Sequence, residues 1–459
     1  MWDKSGGVYL GFGVDRTEGE PHLYDEIRYQ DDRHIMMLGP NGSGKTRRVL
    51  LPNLALLKDW SMVVVDPKGV LAKMAATHRD RMLVNSVFLN PFGVMGLPSH
   101  GFNPLASLDP ETDDFPDDCM SLAESMIRIS GNEPHWSESA QDLVAALIMY
   151  SVFLRRPNPD DTSLGNLPCV RDLLGKSTTK FALMADVMAS VGNEHNCPEL
   201  AAKASRFIDM TEESRELISI VSTALTQTRW LDSRPIKRDL RRDTKLDFKR
   251  LKNQPTTIYL ILPANRMGTH STWVRVMLAS ILQPLLKDAT PGKVPVLLML
   301  DEYPALAQGG FPVIEKNMAM FREYGIKLMT VWQDLAQAKR LYGEGWESFA
   351  ANAGVLQSFA PQDVLTSKHL SEMTGLRARQ VPSTGESTSR KPGDQTSMGD
   401  SSSMAMQGLP LMLPQHLRRM DDGYAVMFGH RWKGTMRSYF PFHLRGLEAV
   451  YRNDPSGTP

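Results

Sequence analysis

Short apolar runs mark both ends of this chain, and between them the apolar positions fall at helical spacing. Residues 6 to 38 read as short strands, VYLGFGVD and HIMMLG, divided by polar turns, and the second runs straight into a glycine turn. After the helix KTRRVLLPNLALLKD comes SMVVVDPKG. Its Val63 to Val65 run has the uniform apolarity of a strand covered on both faces, and a turn at Asp66, Pro67 and Gly69 closes it. From Leu105 to Ile236 the pattern is helical throughout: DCMSLAESMIRIS, SAQDLVAALIMYSVFL, KFALMADVMASV, PELAAKASRFIDM and SRELISIVSTALTQTRWL carry apolar residues three and four apart. Strand-like runs then resume at TTIYLILP, VPVLLMLDE, IKLMTVWQ, AGVLQSFA and GYAVMFG. Apolar runs alternating with helices predict an α/β fold with a mostly parallel sheet.

The pattern divides the chain into a first part of the α/β domain over 1–104, an all-helical insert over 105–236, and a second α/β part over 237–445. Residues 381–408, VPSTGESTSRKPGDQTSMGDSSSMAMQG, are dense in Ser, Thr, Gly and Pro, and read as a flexible surface loop. The last residues, 446–459, read as a disordered tail. No internal repeat is evident.

Composition narrows the classes. With 459 residues, 42% apolar and 23% charged, the chain is long enough for two or three domains with their own cores. Cys119, Cys169 and Cys197 are odd in number and scattered, which argues against a disulfide framework or a zinc site and for a reducing cytosol. His195 and Cys197 are two ligands without partners, and His135 and Trp136 read as packing at the entry of a helix that Ser137 caps. Basic and acidic residues both total 52, so any polyanion site must be local. The longest apolar run, LVAALIMYSVFL over 143–154, is too short to span a bilayer, and the N-terminus lacks the features of a signal peptide.

The candidate chemistry begins at residues 39–46. Gly39, Pro40, Asn41, Gly42, Ser43, Gly44, Lys45 and Thr46 satisfy GxxxxGK[ST] between a strand and a helix. In such a loop glycines turn successive N–H groups toward phosphates, Lys45 neutralises β and γ oxygens, and the Thr46 hydroxyl ligates Mg²⁺. VPVLLMLDE supplies the acids: Asp301 to hold Mg²⁺ and Glu302 to polarise an attacking water as general base. Gln333, ending IKLMTVWQ, reads either as a γ-phosphate sensor or as the cap of the helix DLAQAKRLY. In the helix predicted over KNMAMFREYG, Arg322 either snorkels at a helix end or reaches a neighbouring subunit's γ-phosphate as an arginine finger. Between Arg229 and Lys252 ten basic residues face four acids: a solvated charged face, or a lining for a nucleic-acid backbone.

Taken in order, GPNGSGKTRRVLLPNLAL, VVVDPKGVLA, FLNPFG, FNPLASL, HWSESAQDLVAALIMY, TTIYLILP, LDEYPAL and VWQDLAQAKRLYG resemble the type IV coupling proteins of the TraG and TraD kind. These are hexameric ATPases of conjugation and type IV secretion, related to the FtsK and HerA motors. The resemblance runs from about Ile35 to Phe440. It implies a RecA-like P-loop ATPase core, with ATP and Mg²⁺ as cofactors, and a ring whose helical insert caps its mouth and selects cargo. It places Lys45, Thr46, Asp301, Glu302 and Gln333 at catalytic positions, Arg322 in trans, and Asp66 and Lys68 near the nucleotide or the subunit boundary, although Asp66 also reads as a simple strand end. The implied partners are single-stranded DNA or a relaxase–DNA complex, and components of the secretion channel or a separate membrane partner. A homo-hexamer is expected when active and a monomer in isolation.

Members usually begin with transmembrane helices, and none is evident here. The sequence is then either a soluble piece beginning just before the core or a member of a membrane-free branch, at the inner face of the bacterial inner membrane in both cases. The activity expected is DNA-stimulated ATP hydrolysis that drives a DNA or nucleoprotein substrate into the channel. The alternatives are an ATP-regulated cargo receptor or adaptor with little motor activity, and an unrelated P-loop enzyme such as a small-molecule kinase. The large insert and the acid pair argue against the kinase.

Overall fold

The computed structural model describes residues 6–14, 23–129, 134–176, 181–208, 210, 214–242, 244–308, 310–389, 397–430, 432 and 435–455. The strands among them are β1 (Val8–Val14), β2 (Leu23–Tyr29), β3 (His34–Leu38), β4 (Ser61–Val65), β5 (Asn85–Leu89), β6 (Thr256–Leu260), β7 (Val296–Leu300), β8 (Ile326–Trp332), β9 (Ala353–Phe359), β10 (Leu376–Ser389), β11 (Ser397–Pro410), β12 (Tyr424–Gly429) and β13 (Met436–Tyr439). One sheet of 11 strands runs in the order β2-β1-β13-β12-β9-β3-β8-β7-β4-β6-β5. From β9 to β5 every neighbouring pair is parallel. β12, β13, β1 and β2 extend it as antiparallel neighbours. The sheet is mostly parallel, as the sequence pattern predicts.

The uniform apolarity of the central strands follows from cover on both faces. Met36, Leu38, Val63, Val65, Leu298 and Leu300 point into one core, while Ile35, Met37, Met62, Val64, Leu297 and Met299 point into the other. The second core is closed by α1 (Leu51–Leu56) and α2 (Val70–Arg81) together with β1 and the C-terminal residues Val450 and Tyr451. The first is closed by the long region between β5 and β6, which holds α3 (Phe115–Met126), α4 (Pro134–Arg155), α5 (Leu167–Leu174), α6 (Phe181–Glu194), α7 (Pro198–Ile208), α8 (Arg215–Thr228) and α9 (Arg234–Leu240). After β6, α10 (Ala264–Leu286) joins the same core. No strand interrupts α3 to α9 among the described residues, and position 236 falls inside α9.

Leu143 to Met149 are all buried because α4 is surrounded by α3, α5, α7 and α8. That accounts for an apolar run with no solvent face. Side chains start several helices as sequence logic requires. Asn166 accepts from Cys169 N at 2.9 Å ahead of α5, and Ser214 accepts from Leu217 N at 3.4 Å ahead of α8. Among the described residues no helix is long and apolar enough to cross a membrane.

Four expectations need correction. Residues 381–408 are not structureless: β10 and β11 pair in register from Leu376↔Pro410 to Ser389↔Ser397, with 390–396 outside the described residues. The ladder satisfies backbone groups that a Ser- and Gly-rich composition leaves without a packed core. Within 446–459, a short helix at Glu448–Tyr451 buries Val450 and Tyr451, so this part of the tail is docked; residues 456–459 lie outside the described residues. KNMAMFREYG forms successive turns rather than a helix, the preceding helix ending at Glu315. Ser137 lies buried within α4 rather than capping it.

Candidate active site

β3 delivers the chain into residues 39–44, and Gly39 N donates to Trp332 O at 3.0 Å, pinning the loop to the end of β8. Ser43 N donates to Pro40 O at 3.3 Å, and Arg48 N to Gly44 O at 2.8 Å, where the helix begins. Gly42 and Gly44 hold φ of 82° and 81°, a region L side chains rarely enter. A Cβ at Gly44 would also approach Arg48 Nε to 2.7 Å. The chain then makes a wide turn at Thr46–Leu50 that continues into α1.

Lys45 is half-buried, and its Nζ donates to Gly39 O and, at 2.8 Å, to Pro40 O. Burial lowers its pKa, and Asp301 and Glu302 oppose that shift. The phosphate-loop lysine and the acid pair are therefore electrostatic neighbours.

Asp301 and Glu302 follow the last residue of β7. The pairing of Val65 with Leu300 sets Asp66, at the end of β4, beside Asp301. Burial, and then Glu302, push the Asp301 carboxyl up to about 6 against the pull of Lys45 and Lys68. Asp66 is pushed up to about 7, chiefly by burial and in part by Asp301, although Ala72 N donates to its Oδ2 at 2.9 Å. Asp66 thus ends its strand, holds the first turn of α2 and borders the acid pair. Lys68 is exposed nearby.

Glu302 adopts φ 58°, ψ 46°, a left-handed backbone that costs a non-glycine residue roughly 1–2 kcal/mol. Its Oε1 accepts from Gln333 Nε2 at 2.8 Å. β8 lies between β3 and β7, so Gln333 stands between the phosphate loop and the acids. Capping of the next helix, Leu335–Tyr342, falls instead to Asp334, which accepts from Gln337 N at 2.7 Å. Lys45, Asp301, Glu302 and Gln333 meet at the carboxyl ends of three adjacent parallel strands, the rim where open α/β sheets bind ligands.

A phosphate chain with a divalent cation fits these residues. Ser43 Oγ is buried without a hydrogen-bond partner among the described residues. A Cβ at Gly39 would come within 2.9 Å of that oxygen and fill the cradle. The donor set pairs one half-buried ammonium with carboxylates held above their usual range, which a cation would return to the ionised form.

Arg322 is not part of this assembly. It is exposed in the turns that lead into β8, where its charge acts on Asp32 and His34 at the amino end of β3. That is the opposite end of the sheet, roughly 20 Å away along a strand of seven residues. His135 Nε2 lies 3.8 Å from Glu216, His195 stacks on Phe153, and no cluster of metal-ligating side chains occurs among the described residues.

Much of the basic segment 229–252 is spent within the chain. Lys237 and Arg241 face Asp172 at 3.6 and 3.7 Å, Arg250 faces Asp247 at 3.4 Å, and Lys252 is buried against Thr290 O.

Sequence reasoning did not single out Arg48, whose Nη1 donates to Phe440 O at 2.5 Å and ties the phosphate loop to the C-terminal strands. No local signal marks that contact, since the partners are 392 positions apart. The left-handed Glu302 was equally hidden, because its sequence neighbours form no turn motif.

Comparisons with known proteins agree with this architecture. Conjugal transfer protein TraG of Escherichia coli is 27% identical over 477 residues, covering 98% of this chain and 71% of that protein. A second E. coli TraG is 28% identical over 80% of the chain, and the TraG of Rhizobium radiobacter is 24% identical over 86%. The chain spans 58% and 60% of those two relatives. Among solved structures, the bacterial conjugative coupling protein TrwBdeltaN70 in its unbound monoclinic form superposes with a TM-score of 0.61 at 15% identity, covering 90% of this chain and 85% of that one. Plasmid coupling protein TrwB in complex with ADP and Mg²⁺ gives 0.63 at 14%, covering 90% and 86%. At such identities the likeness shows the fold, a RecA-like α/β core. A family model described as type IV secretory system conjugative DNA transfer matches residues 6–432, and the chain belongs to that family.

Proposed function

We propose that this chain is the ATP-hydrolysing coupling protein of a conjugation or type IV secretion channel. It recruits a DNA or relaxase-bound DNA substrate and drives it into the channel. The observation that carries the reading is the convergence of Lys45, Asp301, Glu302 and Gln333 at the ends of β3, β7 and β8. That TrwB, of the same fold, was solved with ADP and Mg²⁺ and with a non-hydrolysable ATP analogue supports ATP and Mg²⁺ as the ligands.

Backbone N–H groups within residues 41–46 cradle the phosphates, and Lys45 turns from the loop carbonyls to the β and γ oxygens. Mg²⁺, held by the Thr46 hydroxyl and by Asp301, would screen the charge that builds on the phosphates. Glu302 takes the proton of the attacking water. Gln333 orients that carboxylate by donating to Oε1, and any change at the γ-phosphate is felt through this bond at the end of β8. The helical region 105–236 serves as the cargo-selecting unit, and six copies form the working ring at the inner face of the membrane, through partners or an anchor outside this sequence.

ATPase assays across protein concentration, with and without single-stranded DNA, test the reading. Turnover should rise with concentration and with DNA, Lys45→Ala should abolish it, and Glu302→Gln should bind ATP but hydrolyse at least about 100-fold more slowly. Slow turnover indifferent to DNA, with cargo held by residues 105–236, would make the chain a receptor instead. A native rate for Glu302→Gln would remove the base assignment.

A further inference from the structure

Where the helical region meets α10, the structure carries a cleft of about 190 Å³. Its walls come from four separate places. Arg128 follows α3, Arg229 and Trp230 follow α8, Ser271 and Arg275 lie on α10, and Gln308 lies six residues beyond Glu302. Three of these side chains are guanidinium groups, and among the described residues no carboxylate lines the cleft.

Buried donors here lack acceptors. Trp230 is 3% exposed and its Nε1–H has no partner among the described residues; Arg275 is 2% exposed and its Nε is likewise unmatched. Among the described residues the other nitrogens of Arg275 reach Thr272 Oγ1 at 2.8 Å and Gly310 O at 3.4 Å. Arg128 donates to Gln308 O and weakly to Ser271 Oγ at 3.5 Å. Burial and the like charge of Arg128 bring the Arg275 pKa down to about 9. Among the described residues Glu315 is the carboxylate that acts on Arg275, and its Oε1 already accepts from Phe311 N at 2.7 Å. Two repelling cations, with unmatched donors beside them, are stabilised by a compact anion with several acceptor oxygens.

We propose that this cleft binds a phosphate group, clamped by Arg128 and Arg275 with Trp230 Nε1–H as a third donor. A guanidinium pair suits tetrahedral phosphate oxygens, and Trp230 is too buried to offer a stacking face, so the recognised element is the phosphate rather than a base. The ligand is either a phosphodiester of single-stranded nucleic acid or a free phosphate. Both arginines donate to carbonyls of the segment that follows Glu302, at Gln308 and Gly310, and drawing them onto an anion would loosen those ties. Phosphate binding is thereby coupled to the position of Glu302; that coupling rests on the proposed ATPase reading, and the binding does not.

The test uses the full chain carrying Lys45→Ala, so that the phosphate loop lacks its cation whether or not it serves ATP. Inorganic phosphate is titrated by calorimetry, and a short labelled oligo-dT by fluorescence anisotropy. Adding Arg128→Gln should weaken binding about tenfold, and Trp230→Phe, which keeps the ring and loses the N–H, about threefold. Thermal unfolding reports whether each variant is folded, and Trp230→Phe carries the test if Arg128→Gln is not. Sensitivity of both probes identifies a phosphodiester site, and sensitivity of phosphate alone identifies a free-phosphate site. Binding of both probes that is unchanged by either substitution, or no binding at all, overturns the proposal.

Discussion

At the scale of single residues, the rim of the sheet holds more negative charge than the chain itself neutralises. Asp66 and Asp301 sit side by side at the ends of β4 and β7, with carboxyls pushed up to about 7 and about 6, first by burial and then by neighbouring carboxylates. An unfolded Asp titrates near 3.9, so the folded chain binds these protons more tightly than the unfolded chain does. Their contribution to stability is full below about pH 4 and is lost as pH rises through about 6 for Asp301 and about 7 for Asp66. Nucleotide-free protein should therefore lose thermal stability between about pH 4 and 7. Asp66→Asn keeps an acceptor for Ala72 N while removing the charge. It should flatten that slope and raise the unfolding free energy at pH 8 by about a few kcal/mol, seen as a higher Tm. Differential scanning calorimetry across pH checks this, and a variant less stable than the wild type at pH 8 would mean that the ionised Asp66 is itself stabilising. The sequence motif placed Asp301 and Asp66 each at a strand end. Their adjacency came only with the β4–β7 register, which no local pattern encodes.

At the scale of elements, the two segments that sequence composition assigned to disorder behave differently. The β10–β11 hairpin forms a sheet of its own and is tied to the body at its base, where Leu411 N donates to Gly375 O at 2.9 Å and Ser371 Oγ to Met412 O at 2.7 Å. The C-terminal helix Glu448–Tyr451 instead closes a core: Val450 is fully buried, Leu444 N donates to Tyr451 Oη at 3.1 Å, and Asp454 pairs with Arg47 in the turn that follows the phosphate loop. Ending the chain after Arg445 removes three buried side chains, Leu447, Val450 and Tyr451, worth on the order of 5 kcal/mol together, and should lower Tm by several degrees. Replacing 381–405 with a short glycine turn should move Tm by no more than about 1 °C, and thermal melts of the two variants side by side decide the matter. Legibility follows the same physics. β3, β4 and β6 to β9 were readable because cover on both faces demands uninterrupted apolar residues, as in SMVVV and VLLML. β2 reads LYDEIRY at an edge of the sheet, and β5 buries only Phe88 and Leu89, so neither carries that signal. The docked tail depends on Leu447, Val450 and Tyr451, which fall three and four apart but make a single turn, too short for the periodicity to stand out from the polar residues around it.

At the scale of the whole molecule, the position of Arg322 constrains how copies of this chain would have to meet. It lies exposed at the amino end of the strands, while Lys45 and the acid pair lie at the carboxyl end. It therefore has no access to the nucleotide site of its own chain. A role in hydrolysis requires a head-to-tail contact, in which one copy presents its amino-end turns to the carboxyl rim of the next. Such a contact is heterologous, and it produces a closed ring when the rotation between copies closes. The same contact would carry the state of the γ-phosphate, sensed through Gln333 and Glu302, from one copy to the next. Arg322→Ala should then leave turnover per chain unchanged at dilutions where the protein is monomeric, and lower it about 1,000-fold or more where rings form. Mixing sharpens the test, because each site would need Lys45 from one copy and Arg322 from its neighbour. Lys45→Ala and Arg322→Ala chains, inactive separately, should recover part of the wild-type rate when co-assembled, through junctions that join an intact loop to an intact arginine. Turnover lost equally in dilute monomer, or mixtures that stay inactive while still assembling, would remove Arg322 from the site and leave it as an exposed charge at the entry to β8.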